Sequence, residues 1–342
     1  MQKLERGHLD ALALGFSLLG SGGGGSTYTI ELALARSTAL PLTVQDVDEV
    51  DPGTPCAAVG IIGSTMLLRE RLFDESACAQ VLAAAERWLG HRVPALCLLE
   101  GGGLNGLTPL LFAGERRVID ADLTGRALPS LHQISLFADH VPGLVAACET
   151  GAGGVMVTQT DRAIDVERIL RTAILQAGGV GCAVFAGFTV GDLCEHSVTG
   201  NLSTALRIGR TFERHQREAA PNLAAALGGR VLGEGRVAAI QTDAEDRFAH
   251  TVLIDGPTGE VGRMITHTEH VAYLIDGCVE AAAPAIIVAL DARTRDVIEV
   301  IDIRVGQHVL VLEIPAPAWW TATPARTRLV SPSSYGLNEL QV

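Results

Sequence analysis

The chain opens with two segments whose apolar residues recur at helical spacing, one on each side of a run of four glycines. The apolar stripe consists of Leu9, Leu12, Phe16 and Leu19 before the glycines and Ile30, Ala33 and Leu34 after them. Ser26 or Thr27 is placed to cap the second helix. The pattern therefore predicts that the glycines lie just ahead of a helix N-terminus.

Short apolar runs then alternate with segments of helical periodicity. The runs are 56–63, 94–100, 117–122, 143–148, 154–158 and 182–187, and the clearest helical segments are 74–90 and 161–179. The runs are continuously apolar rather than alternating, which is typical of strands covered on both faces of a sheet. Residues 1–228 are therefore predicted to form an α/β domain.

The pattern changes after residue 228. Residues 229–342 contain β-rich pieces separated by turn signals such as "DG", "PTGE" and "DAR", and no helix is expected between those pieces. Short strands at this spacing predict a separate antiparallel barrel or sandwich. The last ~20 residues of this mainly β domain are expected to pack back on the first domain, as a chain end that is tied down.

Composition and charge exclude some classes of partner and cellular location. The 342 residues are 48% hydrophobic, which is enough for two buried cores, and the net charge is −13 with no basic block. Nucleic acid is therefore excluded as a partner. No signal peptide or membrane span is recognised, so we expect a cytoplasmic protein without a membrane partner. The seven cysteines include no C-x-x-C pair, which favours reduced thiols.

The glycine run, Gly22, Gly23, Gly24 and Gly25, lacks the GK[ST] of a P-loop. It also follows a helix rather than a strand, so the dinucleotide fingerprint does not apply. Exposed backbone N–H groups from the glycines and Ser26, ahead of a helix N-terminus, would bind an anionic group of a ligand, such as a carboxylate or phosphate. The alternative is a tight corner between two helices.

Three carboxylates stand at the ends of apolar strands. Glu100 ends one run, and Asp120 and Asp122 end another, at the strand ends where open α/β sheets place their ligands. Converging carboxylates could raise one another's pKa for acid–base catalysis, or hold a divalent metal cation through oxygen ligands. The alternative is that they cap helices or solvate turns.

Polar side chains near these carboxylates are candidates for binding a polar substrate. Gly102 lies in a second glycine-rich turn directly after Glu100, and Asn105 and Arg126 would supply directional hydrogen bonds. These residues, together with the first glycine run, are predicted to line one crevice.

The cysteines and histidines give weaker signals. Cys148 and Cys194 end apolar runs, and His196 follows Cys194 by two positions, but a nucleophilic thiol needs an adjacent base. We interpret both cysteines as core thiols and leave a catalytic part for these three residues open. His267 and His270 have metal-like spacing, yet residues three apart on a strand face opposite sides, which favours a structural role.

Several blocks, in order, resemble the S-methyl thiohydantoin desulfurase-like family, long catalogued as DUF917. They are "DALALGFSLLGSGGGGSTY", "EGGGLNGLTPL", "IDADLTGRALPSLHQIS", "GNLSTALRIGR", "VIDIRVGQHVLVLEIPAPAWWT" and "VSPSSYGLN". The resemblance implies a three-layer α/β/α N-terminal domain and a β-barrel-like C-terminal domain. It also implies hydantoin metabolism, with hydrolytic removal of a sulfur substituent from an S-methylated thiohydantoin ring.

The sequence departs from that family in the block after "DAD", and the segment around "GDLCEH" is also unusual. The family usually has glycine after "DAD" and a later "PELQ", whereas here Leu123 and "PSLHQ" stand, so that Ser130 replaces an acidic residue and His132 adds an imidazole. We therefore add His132 to the substrate-binding candidates, and we expect that the substrate can differ from the one that names the family.

Two functions are compatible with these features. The first is a hydrolase acting on a small cyclic ureide or thioureide, with Asp120, Asp122 and Glu100 activating water or binding metal. The second is a non-catalytic partner or regulatory subunit of a hydantoinase/oxoprolinase-type enzyme. In either case we expect a homo-oligomer.

Overall fold

The computed structural model describes residues 2–37, 40–70, 75–242 and 249–340. The N-terminal domain contains β1 (Gln2–Leu4), α1 (Leu9–Leu19), α2 (Tyr28–Arg36), β2 (Leu42–Gln45), β3 (Pro55–Gly63), α3 (Thr65–Arg69), α4 (Glu75–Leu89), β4 (Ala95–Leu98), β5 (Arg117–Asp122), α5 (Ser135–Ala138), β6 (Val145–Gly151), β7 (Gly154–Gln159), α6 (Ala163–Gln176), β8 (Val180–Thr189), α7 (Val190–His196), β9 (Val198–Thr199), α8 (Asn201–His215) and α9 (Ala220–Ala226).

Its strands form one mixed sheet in the order β1-β2-β5-β4-β3-β8-β6-β7, with β9 paired to β5. The segment β2-β5-β4-β3 is parallel, and β8, β6 and β7 are antiparallel to their neighbours. On β4, Leu96 and Leu98 face one apolar core while Ala95 and Cys97 face the other. Both faces of the sheet are thus covered, which explains why this strand is continuously apolar.

The C-terminal domain is built on a second sheet. Its strands are β10 (Arg230–Thr242), β11 (His250–Asp255), β12 (Val261–Thr266), β13 (His270–Ile275), β14 (Cys278–Ala282), β15 (Ile286–Asp291) and β16 (His308–Ile314), in the order β14-β13-β12-β11-β10-β16-β15. All pairs are antiparallel, and the sheet curls into half a barrel. The predicted fold class, an α/β domain followed by a mainly β domain, is confirmed.

The end of the chain lies against the N-terminal domain. Two short helices, α10 (Ala318–Thr321) and α11 (Pro324–Val330), follow β16. The buried Trp320 packs with Leu128 and Val330, and its indole N–H donates to the carbonyl oxygen of Thr124 at 2.6 Å. These contacts hold the tail beside the loop that follows β5.

Within the described residues, no helix is both long enough and apolar enough to cross a membrane.

Helices α1 and α8 cross in close backbone contact because glycines stand at the crossing. A Cβ on Gly15 would overlap the carbonyl oxygen of Ala205, and a Cβ on Gly209 would overlap that of Ala11. This packing matters for the site, since the C-terminal end of α1 leads directly into the glycine run.

We predict that Gly209→Ala destabilises the fold by about 1–3 kcal/mol, because an added methyl group must push two helix backbones apart. Gly7→Ala is the matched control, since a Cβ on Gly7 would meet nothing within 4 Å. Chemical denaturation of both variants measures the difference. Equal unfolding free energies for the two variants would contradict this description of the helix crossing.

Candidate functional site

The glycine run is a loop between α1 and α2 that packs on the second glycine turn. A Cβ on Gly24 would lie 2.6 Å from the backbone nitrogen of Gly103, and the amide of Leu104 donates to the oxygen of Gly24 at 3.1 Å. A Cβ on Gly102 would lie 2.7 Å from the nitrogen of Ala127. Bare backbone is therefore needed here because three chain segments meet without room for side chains.

The same loop joins the two domains. The amide of His270 donates to the carbonyl oxygen of Ser21 at 2.8 Å, and the amide of Val300 donates to that of Gly22, also at 2.8 Å. The Ser21 hydroxyl donates to the carbonyl oxygen of Ile287 at 3.0 Å. A Cβ on Gly23 would overlap the side chain of Glu269. The corner between α1 and α2 is thus also the joint with the second sheet.

A cavity of about 190 Å³ lies on the other side of the loop. It is lined by Ser17, Gly20, Gly22, Gly23, Gly24, Gly25, Ser26, Thr27, Gly103, Val297 and Glu299. Thr27 occupies the N-cap position of α2 without a side-chain cap hydrogen bond, and the amide of Tyr28 donates to the Ser26 hydroxyl at 3.4 Å. Within the described residues, the amides of Gly24, Gly25 and Ser26 have no hydrogen-bond acceptor. The cavity therefore offers free N–H donors next to a helix N-terminus.

Glu100 follows β4 and is held by two donors. The Asn105 side chain donates to one carboxylate oxygen and the amide of Leu128 to the other, both at 3.0 Å. The residue is only half-buried, although protein surrounds it closely. Burial, together with the negative charges of Glu269 and Asp122, raises its pKa to about 8 against the two donors. Glu100 is therefore a protonated carboxyl at neutral pH that still reaches solvent.

Glu269 brings a second carboxyl to this place from the C-terminal domain. Its side chain is buried and accepts from the hydroxyl of Thr268 at 2.7 Å. Burial raises its pKa to about 7, while the hydroxyl and the positive charge of Arg126 lower it. The charge of Glu269 raises the pKa of Glu100, so these two carboxyls, one from each domain, lie within electrostatic reach of each other, and we call them the carboxyl pair.

Arg126 is the buried cation beside the pair, but its donors are already used. Its Nε donates to the carbonyl oxygen of Ala127 at 3.0 Å, and Nη1 donates to that of Ala285 at 2.5 Å. Weaker contacts run to Pro284 and His270. The guanidinium therefore pins the loop after β5 to the second sheet, and it acts on the carboxyls through its charge.

Asp122 is fully buried behind Glu100. One carboxylate oxygen accepts the amides of Thr124, at 2.8 Å, and Gly125. Burial raises its pKa to about 6; these amides and the Asn201 side chain lower it, and the charge of Asp120 raises it. This carboxylate closes the turn after β5 and contributes negative charge to the site.

Asp120 does not face a crevice, which changes the expectation that it activates water. Its oxygens accept the amides of Leu202, at 2.7 Å, and Ser203, at 3.1 Å, and the Ser203 hydroxyl at 2.6 Å. These groups form the first turn of α8, so the carboxylate caps that helix. We therefore assign Asp120 a structural role.

Two other substrate-binding candidates, Asn105 and His132, differ in their surroundings. Asn105 exchanges two hydrogen bonds with the backbone of Ile61, at 2.6 and 2.9 Å, besides holding Glu100. His132 lies beside α6, where burial lowers its pKa, Glu167 raises it and Arg171 lowers it. Asn105 positions a carboxyl, whereas His132 has the side chains of α6 as its charged neighbours.

The predicted metal ligands, Glu100, Asp120 and Asp122, also accept hydrogen bonds from protein groups. In the part of the chain that the structure describes, no group of three histidine, cysteine, aspartate or glutamate side chains is arranged to hold a metal ion. The carboxylate oxygens of Asp120 accept hydrogen bonds from the first turn of α8, and those of Glu100 accept hydrogen bonds from Asn105 and Leu128. The alternative of a shared cation on Glu100, Asp120 and Asp122 therefore does not fit their geometry.

The thiol candidates lie elsewhere. Cys148 is buried in β6, and burial followed by the Glu149 charge raises its pKa to about 11. The prediction of a core thiol was wrong for Cys194, which is exposed because α7 buries only Val190 and Leu193. His196 binds Asp139 at 2.8 Å rather than a thiol.

Sequence reasoning missed the most informative residue, Glu269. It stands inside "HTEH", where the histidines attracted attention and the intervening carboxylate did not. His270 is fully buried against Gly22, and burial and the Arg126 charge lower its pKa to about 3. The histidine is thus a neutral packing residue. An acidic residue directly before a buried strand was the signal that could have been read.

We predict that stability falls as pH rises, because the pKa of Glu100 is higher in the folded state, at about 8, than its ordinary value of 4.5. The contribution of Glu100 to the free energy of unfolding is complete below about pH 4.5, decreases as pH rises, and is lost above about pH 8. Denaturant melts over this range should show a shallower dependence for Glu100→Gln than for the exposed control Glu115→Gln. Identical slopes for both variants would contradict the burial effect.

Comparisons with known proteins agree with this architecture. A family model described as the S-Me-THD-like N-terminal domain matches residues 7–160, and the corresponding C-terminal model matches residues 160–342. None of the curated proteins matches the chain. A crystal structure of a structural-genomics target from Chromobacterium violaceum is similar, with a TM-score of 0.79 and 21% identity over 98% of this chain and 97% of that one, which shows a shared fold. The chain belongs to the S-Me-THD-like family.

Proposed function

We propose that this protein is a hydrolase acting on a small cyclic ureide or thioureide, such as an S-methylated thiohydantoin. The observation that carries the proposal is the carboxyl pair of Glu100 and Glu269 with pKa values of about 8 and about 7 beside a buried arginine. Near neutral pH such a pair holds one proton donor and one proton acceptor together, as general acid–base catalysis requires.

The proposed reaction needs both partners. Glu269, as carboxylate, accepts a proton from water while the water oxygen bonds to the ring carbon that carries sulfur. Glu100, as carboxylic acid, donates its proton to the departing thiolate as the carbon–sulfur bond breaks. As the water oxygen adds, the π electrons of the carbon–nitrogen double bond move to the ring nitrogen, and that nitrogen takes the second proton of the water when the carbonyl forms. The products are a ring carbonyl next to an N–H group and a thiol, and exchange with solvent removes the proton gained by Glu269 and returns one to Glu100. The half-exposed position of Glu100 supports that last step.

The cavity beside the glycine loop is the proposed place for the polar end of the substrate. A cavity of about 150 Å³ is enough for benzene, so about 190 Å³ accommodates a five-membered heterocycle. The free amides of Gly24, Gly25 and Ser26 would receive a carbonyl oxygen or anionic group of the ligand. Gly23 lines this cavity, and a Cβ on it would overlap the Glu269 side chain, so this glycine lies next to both the cavity and that carboxyl.

We predict that Glu100→Gln and Glu269→Gln each reduce turnover of an S-methylated thiohydantoin about 100-fold or more, since each removes one half of the acid–base pair. Thiol release by the purified protein measures the reaction, and Glu115→Gln is the exposed control. If wild-type protein binds the ring and never releases thiol, the chain is instead a ligand-binding partner of a hydantoinase-type enzyme.

The glycine loop allows a separate test. Gly23→Ala places a methyl group against Cγ of the buried Glu269 side chain, which must shift to make room. We expect kcat/KM of the folded protein to fall about tenfold or more, because the shift displaces one carboxyl of the acid–base pair. Gly7→Ala is the matched control. A lowered Tm with unchanged kcat/KM would show that the loop is only a helix–helix corner.

A further inference from the structure

The C-terminal domain contributes an acidic side chain to the cavity beside the glycine loop. Val297 and Glu299 both line this cavity. They lie two positions apart in an extended segment, so their side chains point to the same side, while Ile298 between them packs in the core of the second sheet. The amide of Val300 donates to the carbonyl oxygen of Gly22 at 2.8 Å. Glu299 is therefore held directly beside the loop whose amides are free.

One carboxylate oxygen of Glu299 pairs with an arginine from the other domain. Arg69, the last residue of α3, donates from Nη2 to Oε2 of Glu299 at 3.0 Å. The same guanidinium donates to both carboxylate oxygens of Asp302, at 2.7 and 2.5 Å. Two carboxylates thus share one positive charge, and one negative charge remains uncompensated within this group of three side chains.

The second carboxylate oxygen of Glu299 is available to a ligand. Glu299 occupies the N-cap position of the 3-10 turn 300–302, where an acidic side chain commonly accepts a backbone amide, yet it forms no side-chain cap hydrogen bond. In the part of the chain that the structure describes, no donor reaches its Oε1. The side chain is only 19% exposed, so this oxygen favours a ligand that brings a hydrogen-bond donor.

The charge of Glu299 restricts which groups can bind next to it. Among the described residues that line the cavity, Glu299 alone has a charged side chain. Burial raises its pKa, the charge of Arg69 lowers it, and the charge of Asp302 raises it. The ion pair with Arg69 favours the carboxylate form, which repels an anionic group and accepts a hydrogen bond from a neutral N–H. The cavity therefore presents donors on the glycine loop and an acceptor on the second domain.

We propose that Glu299 is a specificity-determining residue that accepts a hydrogen bond from a ring N–H of the ligand, while the loop amides donate to a ring carbonyl oxygen. This inference rests on the proposed function and narrows its substrate class to neutral rings that carry an unsubstituted N–H as well as a carbonyl group. Cyclic ureides have this combination of donor and acceptor, whereas rings with alkylated nitrogens have no N–H to donate. Glu299 then selects the ring on which the carboxyl pair acts.

The first test compares two ligands on wild-type protein and needs no variant. Hydantoin has free ring N–H groups, and 1,3-dimethylhydantoin keeps the carbonyl groups but has no N–H. Isothermal titration calorimetry measures both dissociation constants. We expect hydantoin to bind about tenfold more tightly, or better, because a hydrogen bond to a charged acceptor is lost with the methylated ring. Equal affinities, or no binding of hydantoin, would overturn the proposal.

The second test separates the hydrogen bond from the bulk of the methyl groups. In Glu299→Ala we expect the affinity for hydantoin to fall about tenfold and the preference over the dimethyl ring to disappear, whereas a preference caused by bulk would persist. Asp302→Ala is the matched control, because Asp302 pairs with the same arginine but is not among the residues that line the cavity. A preference that persists in Glu299→Ala, or that is lost equally in both variants, would overturn the proposal.

Release of thiol from an S-methylated thiohydantoin tests the proposed function separately. If wild-type protein releases thiol but binds both rings equally, the proposed function stands and the role of Glu299 is refuted. If wild-type protein prefers hydantoin and releases no thiol, the hydrolase is refuted, and Glu299 selects the ligand of a non-catalytic partner.

Discussion

The burial of two glutamates from different domains around one arginine is the constraint on which the rest of the site depends. Glu100 and Glu269 are enclosed by protein, and Arg126 is the buried cation beside them. Arg126 cannot pair fully with either, because its donors hold the two domains together through carbonyl oxygens. The negative charge is therefore undercompensated, and the pair retains a proton near neutral pH.

Glycine makes this arrangement sterically possible. The loop Gly22–Gly25 lies between the second glycine turn, the side chain of Glu269 and the ring of His270, and a Cβ at each of these contacts would collide. The same loop closes the cavity on its other face. Close backbone packing thus joins the domains, places Glu269 and leaves free amides, so that one short segment serves both structure and binding.

Much of the fold could be predicted from the local pattern of apolar and polar residues. The predicted run 117–122 coincides with β5, Arg117–Asp122, whose apolar residues Val118, Ile119 and Ala121 are buried. The helix that follows the glycines begins at Tyr28, directly after Ser26 and Thr27, where the spacing places its start. These features depend on neighbours along the chain, and a single sequence reports them directly.

The site depended on contacts that the sequence does not report. Asp120 and Asp122 look equivalent at the end of β5, yet the N-terminus of α8 approaches only Asp120 and takes both of its oxygens. Glu269 comes from the other domain, so nothing local in the sequence marks it as a charge that acts on Glu100. Cys194 is exposed because its helix buries only one side, which depends on what the helix packs against.

The central claim is that Glu100 holds its proton near neutral pH because it is buried and because the charge of Glu269 adds to the effect of burial. Carbon-13 NMR titration of the glutamate carboxyl groups, with Glu100→Gln assigning the resonance, measures this directly. We predict a pKa of about 8 for Glu100 in wild-type protein and a lower pKa in Glu269→Gln, where the neighbouring charge is gone. A pKa near the ordinary 4.5 that does not change in Glu269→Gln would contradict the account.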